Sequence, residues 1–337
     1  MKSTSILIFI LYIMGQFPDL DAQSSQITDA KHKNFSCDIE SGVCKPVEDV
    51  GIEEVDLNKP EKVKMIYYTD PICSACWAIE PQLKKFKLAY GEYVEIEYRM
   101  GGLLPGWEGF ADRANGISKP TDVAHHWDEV GEHTGMSIDG DIWLEDPLDS
   151  SFPPSIAFKA AQKQGKAFAL NFLRNMREQL FLEKQNISRE EVLVKAIEVC
   201  RGNSKQFLSD YHDVSTKEAF YEEMNQGKSL GVRGFPTFIF LSKEAKGFKL
   251  SGMSGYENYV RALEKAYGEK IEPKIIPYSS WDLIKKYKYL ATQEITFVLS
   301  QDEASIRDEL KRLVAEGKIK REQQKFGDFW RLLENAQ

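Results

Sequence analysis

The sequence has little of several things, and each shortage excludes a class of protein. Five cysteines in 337 residues (Cys37, Cys44, Cys73, Cys76 and Cys200) are too few and too unevenly placed to staple a small secreted scaffold. Their use therefore points to chemistry. No apolar run is long enough to cross a bilayer: the stretch from Ile6 to Met14 falls well short of the ~20 residues that a spanning helix needs. Positive charge is also in short supply. A formal net charge of -8 argues against a general polyanion binder, because affinity for nucleic acid rests on Lys and Arg neutralising phosphates. There is no internal repeat and no low-complexity tract, which removes solenoids and arrays.

What is present suits a packed protein: 42% of the residues are hydrophobic and 28% charged. The length allows two or three structural units, since single cores seldom grow past ~250–300 residues. Residues 1–22 form a hydrophobic leader in which Lys2, an apolar run and a polar stretch to Ala22 follow the order of a signal peptide. Leu20-Asp21-Ala22 is a poor cleavage site, so both export and retention stay open. Residues 23–62 are a polar, acidic lead-in broken by Pro46, Gly51 and Pro60. Within it, Gly42 permits a tight loop between Cys37 and Cys44, which could be a second disulfide, an auxiliary redox pair or two ordinary thiols.

Regular structure is expected from residue 63. Val63 to Thr69 is rich in β-branched and aromatic residues and is ended by Asp70-Pro71. A helix should start near Cys73 and run to Gly91, and Val94 to Arg99 alternates like a strand. This gives a β-α-β unit with parallel strands. Residues 105–231 are helical in pattern, for example at Phe168, Phe172, Met176 and Leu180. Strand signals return at Thr237 to Leu241 and Phe248 to Leu250, followed by a helix with Val260, Leu263 and Tyr267 on one face. Residues 63–104 and 232–270 thus form one α/β domain around a helical insertion. Residues 271–337 read as a separable module: a helix near Trp281 to Leu290, a second with Ile306, Leu310 and Leu313, then a short ribbon through Gly327, the order of a winged helix. Its 12 basic and 11 acidic residues favour protein contact or dimerisation over DNA reading.

Cys73-Ser74-Ala75-Cys76 places two thiols three positions apart, on neighbouring sites of a first helical turn. There Cys73 meets free backbone N–H groups, which favour the reactive thiolate, while Cys76 is placed to resolve a mixed disulfide. A zinc half-site is the bland alternative, but neither the remaining cysteines nor His32, His125, His126, His133 and His212 supply a clean ligand spacing. Gly234-Phe235-Pro236-Thr237 stands just before the returning strand, where a cis Phe235-Pro236 bond would fit. Cys200, on an apolar helix face, reads as a small buried hydrophobe. Trp107, Trp127 and Trp143 read as core, with a groove over the active site as the alternative.

The run from Tyr68 to Trp77 around the cysteine pair, Pro81 eight residues after Cys73, the helical insertion and the Gly-Phe-Pro-Thr loop together resemble the DsbA family. Within it, the chain is similar to FrnE-like dithiol-disulfide isomerases and to the adaptors that present the regulator Spx to the ClpXP protease. The resemblance implies a thioredoxin-like fold, with Cys73 as nucleophile, Cys76 as resolving thiol and Phe235-Pro236 facing substrate. It implies disulfide exchange with protein or peptide thiols, without metal or organic cofactor. The alternative is an adaptor that binds a client regulator and a protease, with the redox pair secondary. The adaptor branch favours the cytoplasm; a periplasmic or secreted site is the alternative if residues 1–22 are cleaved. One departure stands out: the family's buried carboxylate six residues before the first cysteine is Tyr67 here. Asp70 and Glu80 are candidate substitutes, although solvated surface carboxylates are the commoner case.

Overall fold

The computed structural model describes residues 61–113 and 115–334, together with the backbone of 34–37 and 44–47. Strands β1 (Asn34–Cys37) and β2 (Cys44–Val47) pair antiparallel, with Cys37 opposite Cys44. The polar lead-in therefore contains a paired segment that its composition hides. The state of those two thiols and the nature of the 1–22 leader lie outside the described residues.

The expected β-α-β unit is present as β3 (Val63–Thr69), α1 (Ser74–Ala78), α2 (Glu80–Tyr90) and β4 (Val94–Met100), with β3 and β4 parallel. The single helix expected between them is two. Pro81 has no N–H to bond the Trp77 carbonyl, so the helical ladder breaks at Ile79 and restarts with the proline in its first turn.

The insertion is helical as its periodicity implies: α3 (Pro120–Thr134), α4 (Ile142–Glu145), α5 (Phe152–Gln162), α6 (Lys166–Glu183), α7 (Glu190–Val199), α8 (Ser204–His212) and α9 (Val214–Ser229). Helix α6 buries Phe172, Leu173, Met176, Leu180 and Phe181 along one side. The chain then returns through β5 (Thr237–Leu241), β6 (Gly247–Ser251) and α10 (Tyr256–Tyr267). The sheet runs β4-β3-β5-β6, and β5 is antiparallel to both of its neighbours. β3 and β5 are buried almost throughout because they are central and covered on both faces, whereas β6 at the edge is largely exposed.

The C-terminal part comprises α11 (Ser280–Tyr287), β7 (Tyr289–Ala291), α12 (Thr292–Leu299), α13 (Glu303–Ala315), β8 (Ile319–Gln324) and β9 (Gly327–Leu332), with sheet order β7-β9-β8. The helices and terminal ribbon follow the expected order. The first helix stops earlier, however: Lys288 turns the chain at φ +66°, and Tyr289–Ala291 join β9. Residues around Leu283, Ile306, Leu310 and Trp330 make a local core. Tyr289, Ala291 and Phe329 instead belong to the core of the preceding domain, so the tail is docked into its neighbour and not held at arm's length.

Candidate redox site

Cys73 lies at the point where β3 gives way to α1 and forms the N-cap of that helix. Its Sγ accepts a hydrogen bond from the Cys76 N–H at 3.1 Å, in the place where a serine or aspartate oxygen usually caps a helix. An N–H directed at sulfur favours the thiolate. Cys73 is 4% exposed and Cys76 not at all, so of the two residues the first is the one with any surface open to a partner. The shielding expected for Cys76 is present, and Cys73 is more enclosed than the sequence suggested.

Around the pair, the end of β3 and helix α6 build a polar network. Arg177 of α6 is 1% exposed. Its Nη2 donates to Thr69 Oγ1 at 2.7 Å and to the Asp70 carbonyl at 3.2 Å, and its Nη1 donates to Glu80 Oε1 at 3.0 Å. Thr69 Oγ1 in turn donates to the Tyr67 hydroxyl at 3.2 Å. Burial pushes the Cys73 thiol up, with Cys76 adding to the effect. Against its own burial, Cys76 is brought down by hydrogen bonding from Cys73, by the Arg177 charge and by hydrogen bonds from Thr69 and the Asp70 backbone. The two buried thiols therefore titrate as a pair, with burial favouring their protonated forms and the Arg177 charge favouring a thiolate.

Asp70 is fully buried, which overturns the solvated-carboxylate reading. Its Oδ1 accepts from the Ile72 amide at 3.1 Å, and its Oδ2 from the Leu103 amide at 2.7 Å and the Ser151 hydroxyl at 2.9 Å. Burial nevertheless pushes its carboxyl up to about 6, with those hydrogen bonds and Arg177 pulling the other way. Glu80 is also mostly enclosed and is paired with Arg177.

The Phe235-Pro236 peptide is cis. Because β5 runs antiparallel to β3, the start of β5 stands at the end of β3 from which the cysteine segment departs. Phe235 is tied to that end through Gly101, whose N–H bonds the Thr69 carbonyl at 2.8 Å. A methyl group at Gly101 would come within 1.9 Å of the Phe235 ring, so a larger residue there would push that ring aside. The Pro236 carbonyl accepts from Gly252 N–H at 2.8 Å.

Other candidates fall away from the site. Trp127 and Trp143 are buried and meet edge to face at 5.1 Å, with Trp107 5.9 Å beyond Trp143, which is core packing. Cys200 is half-buried at the end of α7, and burial pushes its thiol up to about 12, the mark of an inert cysteine. His125 is surface-exposed and faces Glu129. Among the described residues no cluster of three His, Cys, Asp or Glu could hold a metal ion. Arg177 was not anticipated. A signal existed: it continues the buried row of α6, four residues after Leu173 and four before Phe181, where a charge is out of place.

The chain belongs to the thioredoxin family, whose sequence profile matches residues 67–261, more than half of its length. A solved structure described as a disulfide isomerase, from Nitrosomonas europaea, shares the fold at a TM-score of 0.52 and 17% identity, covering 62% of this chain and 97% of that one. Within this class the chain is a member of the SpxH family. It is 36% identical to the ClpXP adapter protein SpxH of Halalkalibacterium halodurans over 90% of this chain and 100% of the relative. It is 31% identical to the ClpXP adapter protein SpxH of Bacillus subtilis over 81% of this chain and 91% of the relative. Spans of that size are too long to be the thioredoxin half alone.

Proposed function

We propose that this protein is an adaptor that delivers a Spx-like client regulator to the ClpXP protease in the cytoplasm. The observation that carries the reading is the match to SpxH across 90% of this chain and the whole of the relative, a span that the redox half cannot fill. A docked C-terminal part with its own core and near-neutral charge suits a protein-contact surface. No helix among the described residues is long and apolar enough to cross a membrane. The test is reconstitution: client, ClpXP and ATP, with and without this protein. Several-fold faster client loss is expected, and an unchanged rate overturns the reading.

A second reading is favoured by the hydrogen bond from Cys76 N–H to Cys73 Sγ, which directs a backbone donor at the first sulfur of the pair. The site would exchange disulfides with protein thiols, without metal or organic cofactor. Cys73 thiolate attacks a substrate disulfide, forming a mixed disulfide and releasing one substrate thiol. Cys76 then attacks Cys73 Sγ, forming the Cys73–Cys76 bond and releasing the second thiol, so that the substrate is reduced and the pair oxidised. Phe235 and Pro236 would line the substrate side of the pair. The two readings separate cleanly: a Cys73→Ser, Cys76→Ser protein keeps adaptor activity and loses exchange.

A further inference from the structure

Helix α6 lies outside the β-α-β unit that carries the cysteines, yet it sends a guanidinium into the centre of the site. Arg177 is fixed on three sides, by Thr69 Oγ1, the Asp70 carbonyl and Glu80. Two of these contacts belong to the end of β3, the segment from which Cys73 is displayed. A guanidinium carries five N–H donors. Here Nε is buried with no hydrogen-bond partner, an expensive arrangement for a group that could reach solvent from many helix positions. Among the described residues one carboxylate, Glu80, pairs with it directly, since the Asp70 carboxylate is engaged by Ile72, Leu103 and Ser151. The cation is therefore incompletely satisfied in a pocket whose other ionisable groups are the two cysteines, Tyr67 and the more distant Tyr98 and Tyr259.

We propose that Arg177 is a positioning residue of the redox site: it clamps the end of β3 beneath the cysteine pair and supplies the positive charge that keeps one of the two sulfurs as a thiolate. Its reach from the helical insertion makes that insertion a working part of the redox centre. The inference rests on the thiol-exchange reading for its biological use, although the charge relationship can be measured without turnover.

The experiment is thiolate absorbance of the fully reduced, full-length protein across pH, read alongside the rate of alkylation of the cysteine pair. In the wild type the first midpoint should fall below the ordinary cysteine value of about 8.5. Arg177→Met should raise that midpoint by about one unit, with an alkylation rate about tenfold lower at pH values below both midpoints, as one pK unit is a factor of ten. Arg177→Lys, which keeps the charge and loses the fork, should recover most of the shift. Glu80→Gln removes the counter-charge and should move the midpoint down, opposite in sign to Arg177→Met. Glu80→Gln and Arg177→Lys keep the test decisive if Arg177→Met fails to fold. A purely structural role predicts altered unfolding with unmoved midpoints, and that result overturns the proposal, as does a wild-type midpoint no lower than that of a free cysteine. If the midpoints move as stated but the wild type exchanges no disulfide, the exchange reading fails and the role of Arg177 stands.

Discussion

Trp77, the residue after Cys76, lies parallel to Phe329 of β9, with 6.2 Å between ring centroids and 3° between planes. Its other neighbours extend the connection. Arg174 of α6 sits 4.4 Å above the Trp77 ring and donates to both oxygens of Glu294, at 2.9 and 3.0 Å. Glu294, at the start of α12, is fully buried and also accepts from the Ala291 amide at 2.9 Å. Against its own burial, Arg174 and Lys84 hold its carboxyl below the usual range. Helix α6 therefore reaches the cysteine pair with Arg177 and the C-terminal part with Arg174.

Phe329 should consequently matter to the whole protein. It is completely buried, so Phe329→Ala should lower unfolding stability by about 3–5 kcal/mol, the usual range for emptying such a site. Phe329→Leu should cost less, about 1–2 kcal/mol. Ending the chain at residue 270 also strips Tyr289 and bares Trp77, and loss of soluble protein is expected. Denaturant unfolding measures the first two variants and soluble yield the third; a stable, soluble truncation would show that the tail is separable after all.

Asp70 gives stability a pH signature of unusual sign. Its folded-state value of about 6 lies above the ordinary 3.9, so the folded chain holds the proton more tightly than the unfolded one. That contribution is complete below about pH 4, declines as pH rises to 6 and is constant above, a change of about 3 kcal/mol. Asp70→Asn cannot titrate and lacks this component. Unfolding free energies from pH 4 to 7 should show the wild type losing ground against the variant over that window, and parallel curves would refute the assignment.

The cysteines are not interchangeable. Cys76→Ser leaves Cys73 able to attack and unable to be released, so a mixed disulfide should accumulate on non-reducing electrophoresis. Cys73→Ser should trap nothing, since Cys76 is wholly buried. Equal trapping by the two variants would reverse or abolish the assigned roles.

Much of this was written locally in the chain. The cysteine spacing, the Phe235-Pro236 loop, the alternation of β4 and the β-branched and aromatic runs of β3 and β5 are short-range patterns, and short-range physics reads them. Pro81 announced a break that the continuous apolar row on either side concealed. Strand β7 was missed because three residues carry almost no periodic signal and owe their conformation to β9. Arg177, Arg174 and Glu294 were missed for a related reason. Arg174 and Glu294 look like ordinary surface charges on helices, and although its place in a buried row flags Arg177, nothing in the local pattern names the partner that tertiary packing brings to each from a distant segment.

The β8–β9 turn is held differently from the root of the C-terminal part. Lys325 at its tip reaches Asp128, Asp139 and Asp141 at 2.9, 3.3 and 3.0 Å, and each of these groups is partly open to water. At the root Glu294 is wholly enclosed, and its partner Arg174 is mostly so. Dissolved salt screens exposed charges over a length that falls from about 10 Å at 0.1 M to about 3 Å at 1 M, and it screens buried charges much less. Ionic strength thus acts on this attachment unevenly: it loosens the tip of the ribbon first and leaves the root beside Trp77 in place.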